Sequence, residues 1–248
     1  MSEKFLVFGL HAVEALLSTH PDRILRLLVS KERHDQKIQS LIQLAEEKKI
    51  SVECVPRHEL DRLSNRENHQ GLIAFCQRAN AYFENDLENL LDNISGPVLL
   101  LILDGVQDPH NLGACLRTAN AAGVHAVIAP KDKSVGITPT VAKVASGAAE
   151  MVPFIQVTNL ARTLRNLQER NIWIYGAAAE ADKTLYQADL KGSIALVLGA
   201  EGSGLRRLTR EHCDALFCIP MAGSVSSLNV SVATGVFLFE AVRQRVSS

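Results

Sequence analysis

Three short stretches hold most of the residues in this chain whose types and spacing could do chemistry. The first, DGVQDPHNLGACLRTANAAG at 104–123, carries Asn111 and Arg117, which lie six residues apart and so under two turns apart on one helix. The second, LGAEGSGL at 198–205, sets Glu201 among Gly199, Gly202 and Gly204. The third, IPMAGSVSSLNVSVATG at 219–235, leads from a short apolar strand through small residues into a helix and carries Ser227 and Asn229. Glycine and serine at this density let a ligand approach the backbone, with a hydroxyl and an amide beside it as donors and acceptors. Each stretch also has a plain reading. Ser227 would serve as a helix N-cap, a lone G-x-x-G as a turn after a strand, and Arg117 as a solvated charge on a helix face. The occurrence of all three in order favours a shared site.

The elements around them read as alternating strands and helices. Continuous apolar runs at 98–104, 124–129, 151–157, 172–178, 194–200 and 215–219 predict strands, the first ending in Asp104. Helices are expected from Pro109 through Asn120, closed by Gly123, then at 139–148, 160–170, from near Leu205, and from Leu228 to Val246. Such alternation predicts an α/β domain with a doubly wound parallel sheet over 98–248, its ligands at the carboxyl ends of the strands, where all three stretches fall. Upstream, residues 1–78 predict a small α/β domain with a helix at 10–18, strands at 24–30, 50–56 and 71–77, and a charged amphipathic helix running to Lys49. Two of its turns stand out: FGLHAV with Gly9 and His11, and ENHQG with Asn68, His69, Gln70 and Gly71. The polar, acidic stretch 79–97 reads as a linker with a leading helix around Leu87 to Leu91.

A chain of 248 residues, 47% apolar, is long enough for one large domain or two small ones. Its formal net charge of -1 gives no global field for a polyanion, so any nucleic-acid contact rests on local basic patches. No apolar run reaches the ~20 residues of a membrane span and no signal peptide opens the chain, which places it in the cytoplasm. The five cysteines are scattered singly in apolar surroundings, so neither a disulfide framework nor a metal site is expected. No G-x-G-x-x-G follows the first strand of either domain, which disfavours a nucleotide-dependent oxidoreductase.

The ordered pattern D-x-x-Q-D-P-x-N-x-G-x-x-x-R-T-A, L-G-x-E-G-x-G and I-P-M-x-G-x-x-x-S-L-N-V-S-V-A, spanning residues 104–234, resembles the three motifs of the SpoU branch of the SPOUT RNA methyltransferases. The resemblance implies methylation of a ribose 2'-hydroxyl from S-adenosylmethionine, without metal. The implied substrate is a guanosine of 23S rRNA in the peptidyl-transferase P-loop region; a tRNA or other rRNA target, or a catalytically silent RNA-binding homologue, are the rival readings. It further implies an L30e-like RNA-binding module at the N-terminus and a homodimer. It also implies a deep trefoil knot, which local folding rules treat as essentially absent. The final helix, apolar on nearly every side, independently requires cover on nearly every side, and a second subunit would supply part of it. Carried onto this chain, the implied catalytic residues are Asn111, Arg117, Glu201, Ser227 and Asn229, and the implied cofactor-binding residues are Gly199, Gly204, Ile219, Met221 and Leu228. Arg117 is sometimes proposed as the base in the family, but a guanidinium with a pKa above ~12 rarely gives up its proton. It is better placed as a clamp on the phosphate next to the target ribose, with Asn111 orienting it and Glu201 either pairing with Arg117 or accepting the proton.

Overall fold

The computed structural model describes residues 4–19, 21–65, 68–77 and 82–246; the side chain of His11, residue Glu67 of the ENHQG turn and residues 79–81 at the start of the expected linker lie outside the described residues. The chain divides into two units, Met1–Asn80 and Ala81–Ser248.

In the first unit, strands β1 (Lys4–Phe8), β2 (Ile24–Ser30), β3 (Ser51–Val55) and β4 (Leu72–Gln77) form one sheet in the order β1-β4-β2-β3. β4 is antiparallel to both its neighbours, whereas β2 and β3 run parallel. Helices α1 (Leu10–Thr19), α2 (Gln36–Glu47) and α3 (Arg57–Leu63) make the connections. In α2 the buried residues Ile38, Leu41 and Ala45 recur at helical spacing, and Asp35 caps the first turn by accepting from Ile38 N at 3.3 Å. Sequence reading gave β1 no bounds, placing FGLHAV only at a strand-to-helix turn. FLVF is a four-residue apolar run without alternation, and its pairing with β4, from Lys4 opposite Gln77 to Phe8 opposite Ile73, makes it a strand.

The second unit is built on a seven-stranded parallel sheet. Along the chain come α4 (Asp86–Asp92), β5 (Leu99–Asp104), α5 (Pro109–Ala121), β6 (Ala126–Pro130), α6 (Pro139–Ala145), α7 (Ala148–Met151), β7 (Phe154–Val157), α8 (Leu160–Glu169), β8 (Trp173–Ala177), β9 (Lys183–Thr184), β10 (Ile194–Gly199), α9 (Arg207–Glu211), β11 (Ala215–Cys218) and α10 (Val230–Val246). The strand order is β7-β6-β5-β10-β8-β11-β9. From β5 the chain steps outward through β6 to β7 and then crosses to the other half, so the order reverses between β5 and β10, and ligands of doubly wound sheets bind at that reversal. β5 is buried along its whole length, with Leu99, Leu101 and Leu103 packing toward α5 and α10 and Leu100 and Ile102 toward α4 and α8. That alternation explains its unbroken run of leucine and isoleucine.

Two stretches differ from the sequence reading. Much of the expected linker is structured: Leu87 and Leu91 of α4, one turn apart, are buried in the core formed with α8, and Glu84 accepts from Thr158 N at 3.0 Å and Arg162 Nη2 at 2.6 Å. Leu87, Leu90 and Leu91 make too narrow an apolar stripe to mark the expected helix as packed. The final helix starts at Val230, two residues later than expected, and buries Val230, Thr234, Phe237, Leu238, Glu240 and Ala241. Val232, Phe239 and Val246, spaced by seven, remain 52%, 50% and 79% exposed. The two-residue edge strand β9 has no periodicity to read and forms only by lying parallel to β11.

Candidate active site

Each motif reaches the carboxyl edge of the sheet by its own local device. Asp108 caps α5 by accepting from His110 N at 3.0 Å, and Pro109 follows at the first helical position, so Asn111 sits in the first turn. The second motif folds back on itself after β10: Gly204 N donates to Ala200 O at 2.9 Å, with Gly202 and Gly204 at φ of 78° and 65°. A Cβ on Gly199 would overlap the carbonyl group of Gly204 and the nitrogen of Leu205. Gly199 is therefore required for the loop to close on its own backbone, besides the ligand approach expected of it. In the third motif Asn229 caps α10: its Oδ1 accepts from Ser231 N at 2.9 Å and Ser231 Oγ at 2.6 Å, while its carbonyl accepts from Ala233 N at 2.9 Å. The cap anticipated for Ser227 belongs to Asn229, and Ser227 stays exposed.

These devices bring three side chains into one network. Asn229 Nδ2 donates to Asn111 Oδ1 at 2.9 Å and to Glu201 Oε1, and Asn111 Nδ2 donates to the same Glu201 oxygen at 3.2 Å. The amide orientations follow from one fixed point. The Ser231 N–H can only donate, so Asn229 must turn its oxygen to Ser231 and its nitrogen to Glu201 and Asn111, which in turn fixes Asn111. Glu201 Oε1 thus takes two amide donors, while no described hydrogen bond engages Oε2. Arg117 lies further along α5, exposed, with no hydrogen bond or ion pair among the described residues. Of the two alternatives for Glu201, pairing with Arg117 is not among the described contacts, and Asn111 is turned toward Glu201 and Asn229 rather than toward Arg117.

Beside the network opens a cavity of about 410 Å³. All five residues expected to bind a cofactor, Gly199, Gly204, Ile219, Met221 and Leu228, line it, as do Glu201 and Ser227; Asn111, Arg117 and Asn229 do not. Phe217 and Phe237 close its apolar side. The wall also includes Ala177 to Glu180 after β8, and Arg210 of α9, which pairs with Glu180. Sequence reading missed these residues because GAAAEAD carries no motif; the signal was positional, since β8 lies between β10 and β11 in the sheet. Burial pushes the thiol of Cys115 up to about 11, and burial with the neighbouring Asp214 carboxylate pushes Cys213 up to about 12, so both stay protonated. Among the described residues no group of three or more His, Cys, Asp or Glu side chains could hold a metal ion.

The family model of the SpoU rRNA methylases matches residues 98–239, the span of the network, the cavity and their sheet. The chain belongs to the SpoU rRNA methylase family. A second family model, described as RNA 2'-O ribose methyltransferase substrate binding, matches residues 6–82. Among curated relatives, the 23S rRNA (guanosine-2'-O-)-methyltransferase RlmB of Pectobacterium atrosepticum is 60% identical over 245 residues, covering 99% of each chain. Among solved structures, an RNA 2'-O ribose methyltransferase is 27% identical with a TM-score of 0.71, covering 99% of this chain and 90% of that one. The SpoU methyltransferase AviRb of Streptomyces viridochromogenes, solved with AdoMet, shares the fold at 23% identity and a TM-score of 0.71, covering 99% of this chain and 92% of that one.

In the region of this SpoU protein matched by the second family model, the two turns singled out in the sequence are joined. Gln70 Oε1 accepts from Leu10 N at 2.9 Å, and Arg33 Nη1 donates to Gln70 O at 2.5 Å. His69 is buried, with Nδ1 accepting from Gly71 N at 3.0 Å, so Nε2 carries the proton and donates to Asp61 Oδ1 at 2.9 Å. His69 is thereby a fully partnered turn residue, which leaves Asn68 and Gln70 as the exposed members of that turn.

Proposed function

We propose that this protein methylates the ribose 2'-hydroxyl of a guanosine in 23S rRNA, using S-adenosylmethionine as donor. The observation that carries this reading is the Asn111–Glu201–Asn229 network, whose Glu201 lines a cavity also lined by every expected cofactor residue. The cavity suits the donor: about 410 Å³ is within the range of small-molecule sites, one side is apolar for a flat ring, and Glu201 supplies negative charge for a sulfonium. When bound, S-adenosylmethionine supplies an electrophilic methyl group. Ile219, Met221 and Leu228 hold its apolar part, and the main chain of the closed 199–204 loop forms the facing wall. Glu201, with Oε1 fixed by two amides, presents Oε2 to the incoming hydroxyl, orients it and accepts its proton as the oxygen becomes methylated. Arg117, without a partner among the described residues, binds the adjacent phosphate through its planar fork. Ser227 lies at the cavity rim, where its hydroxyl positions substrate or donor.

The first unit, matched by the substrate-binding model, recognises the RNA; its L30e-like character and the knot of the second unit belong to the same reading, on family membership. A homodimer is supported by the bare seam of Val232, Phe239 and Val246 on α10. The test is transfer of labelled methyl to 23S rRNA from a strain lacking this protein, with the modified ribose then mapped. A single guanosine in the P-loop region is expected; label on tRNA alone, or none, would overturn the assignment.

A further inference from the structure

One buried charge takes no part in the site described so far. Asp104 ends β5, its side chain 0% exposed, on a strand whose other residues are all leucine or isoleucine. Every described hydrogen bond of its carboxylate goes to Arg206, the residue that follows the second motif's loop: Oδ2 accepts from Arg206 N at 2.9 Å, and Oδ1 accepts from Arg206 Nε at 2.5 Å, with Nη2 also at 2.5 Å. Its own carbonyl accepts from Ala200 N at 3.1 Å. Asp104 therefore holds both roots of the loop, at Ala200 and at Arg206, while Asn111 and Asn229 hold Glu201 near its tip. A strand end needs no ion pair to stay in place, since well-packed apolar residues usually do as well with less desolvation.

We propose that Asp104 and Arg206 are positioning residues for the cofactor: their clasp sets the shape of the Ala200–Leu205 loop, and with it the cavity wall and Glu201. This rests on reading the cavity as the S-adenosylmethionine site. Three full-length variants test it: Asp104→Asn, which turns an amide N–H toward the Arg206 donors; Arg206→Ala, which removes the fork; and Asp104→Asn with Arg206→Gln, which rebuilds a neutral amide pair. S-adenosylmethionine is titrated calorimetrically into each, well below its melting temperature, where a role confined to global stability would leave affinity untouched. Each single variant is expected to bind at least tenfold more weakly, and the double variant to recover at least half of that loss on a logarithmic scale. Should Asp104→Asn not fold, Arg206→Ala carries the test, since its side chain is 40% exposed and its backbone contact to Asp104 remains. Folded single variants binding within twofold of wild type would overturn the clasp alone. A wild-type protein that does not bind S-adenosylmethionine would overturn the cofactor reading and the clasp with it.

Discussion

Gly199→Ala is the smallest change that should disable the donor site, and its effect follows from where the added atom would sit. The Cβ would overlap the Gly204 carbonyl group and the Leu205 nitrogen, all of them backbone, so no side chain can swing away to accept it. The loop must open, losing the Gly204 N to Ala200 O bond of 2.9 Å. Overpacking costs ~1–3 kcal/mol and a lost backbone hydrogen bond roughly 1 kcal/mol, giving about 2–4 kcal/mol against the closed loop. In a protein of this size that lowers the melting temperature by roughly 4–16 °C. If donor binding requires the closed loop, the same energy reduces affinity by roughly 30- to several-hundred-fold. Gly223, exposed in the third motif with nothing within 4 Å of its Cβ position and no positive φ, is the control, and Gly223→Ala should stay within about threefold of wild type. Calorimetric titration of S-adenosylmethionine and thermal melting are measured on both. A Gly199→Ala protein with normal melting but weakened binding would show that the glycine clears space for the ligand. Normal values for both would refute the closure argument outright.

Other outcomes follow from single contacts. Asn229→Asp keeps the cap on Ser231 but sets a second carboxylate beside Glu201, so melting should change little while single-turnover methylation at neutral pH falls at least a hundredfold; an active variant would remove Glu201 from the chemistry. Arg117→Lys should leave donor binding intact and weaken rRNA binding by ~1.5–3 kcal/mol, read by filter binding, and unchanged RNA affinity would rule out the phosphate clamp. Hydrogen bonds from Arg243 and then Gln244 hold the Glu240 carboxyl down at about 2, from an ordinary 4.5, so its stabilisation is complete above pH 4.5 and is lost as pH falls toward 2. Glu240→Gln should flatten acid denaturation across that window, and an unaltered acid limb would contradict it. Phe239→Glu should yield monomer in sedimentation, and an intact dimer would place the seam elsewhere.

Legibility of the sequence followed the kind of signal each feature gives. Buried parallel strands announce themselves by unbroken apolar runs, so β5 and β10 were placed within a residue of their ends. Features that depend on a partner were faint or silent: β1 showed only as the strand side of a turn and needs β4, β9 needs β11, and α4, expected as a helix, gains a buried face only against α8. The motifs located the site, but their geometry lay in contacts across 90 and 118 residues, which no local spacing encodes. The glycine pattern of the second motif pointed to the cavity wall for a different physical reason, its folding back onto Gly204. His69 shows the converse, a residue conspicuous in sequence whose two ring nitrogens are taken by Gly71 of its own turn and Asp61 of α3.

The division of labour among the motif residues can be argued from what each has left to give. Asn229 is saturated, its oxygen taken by Ser231 and its nitrogen by Asn111 and Glu201. Asn111 joins Asn229 to Glu201 and so also faces inward. Asp104 and Arg206 face one another. Apart from the helix-capping Asp108, that leaves Oε2 of Glu201 and the guanidinium of Arg117 as the motifs' charged groups without described partners. A proton acceptor must have a free lone pair within reach of the cavity, which Glu201 has. A phosphate clamp must reach solvent with its fork open, which Arg117 does on the exposed face of α5. No described contact pairs the two charges, and a direct ion pair between them would have quenched both. A pH–rate profile should therefore lose an ionisation in Glu201→Gln and keep it in Arg117→Lys. The reverse pattern would transfer the base to the arginine and leave the amide network with only a positioning task.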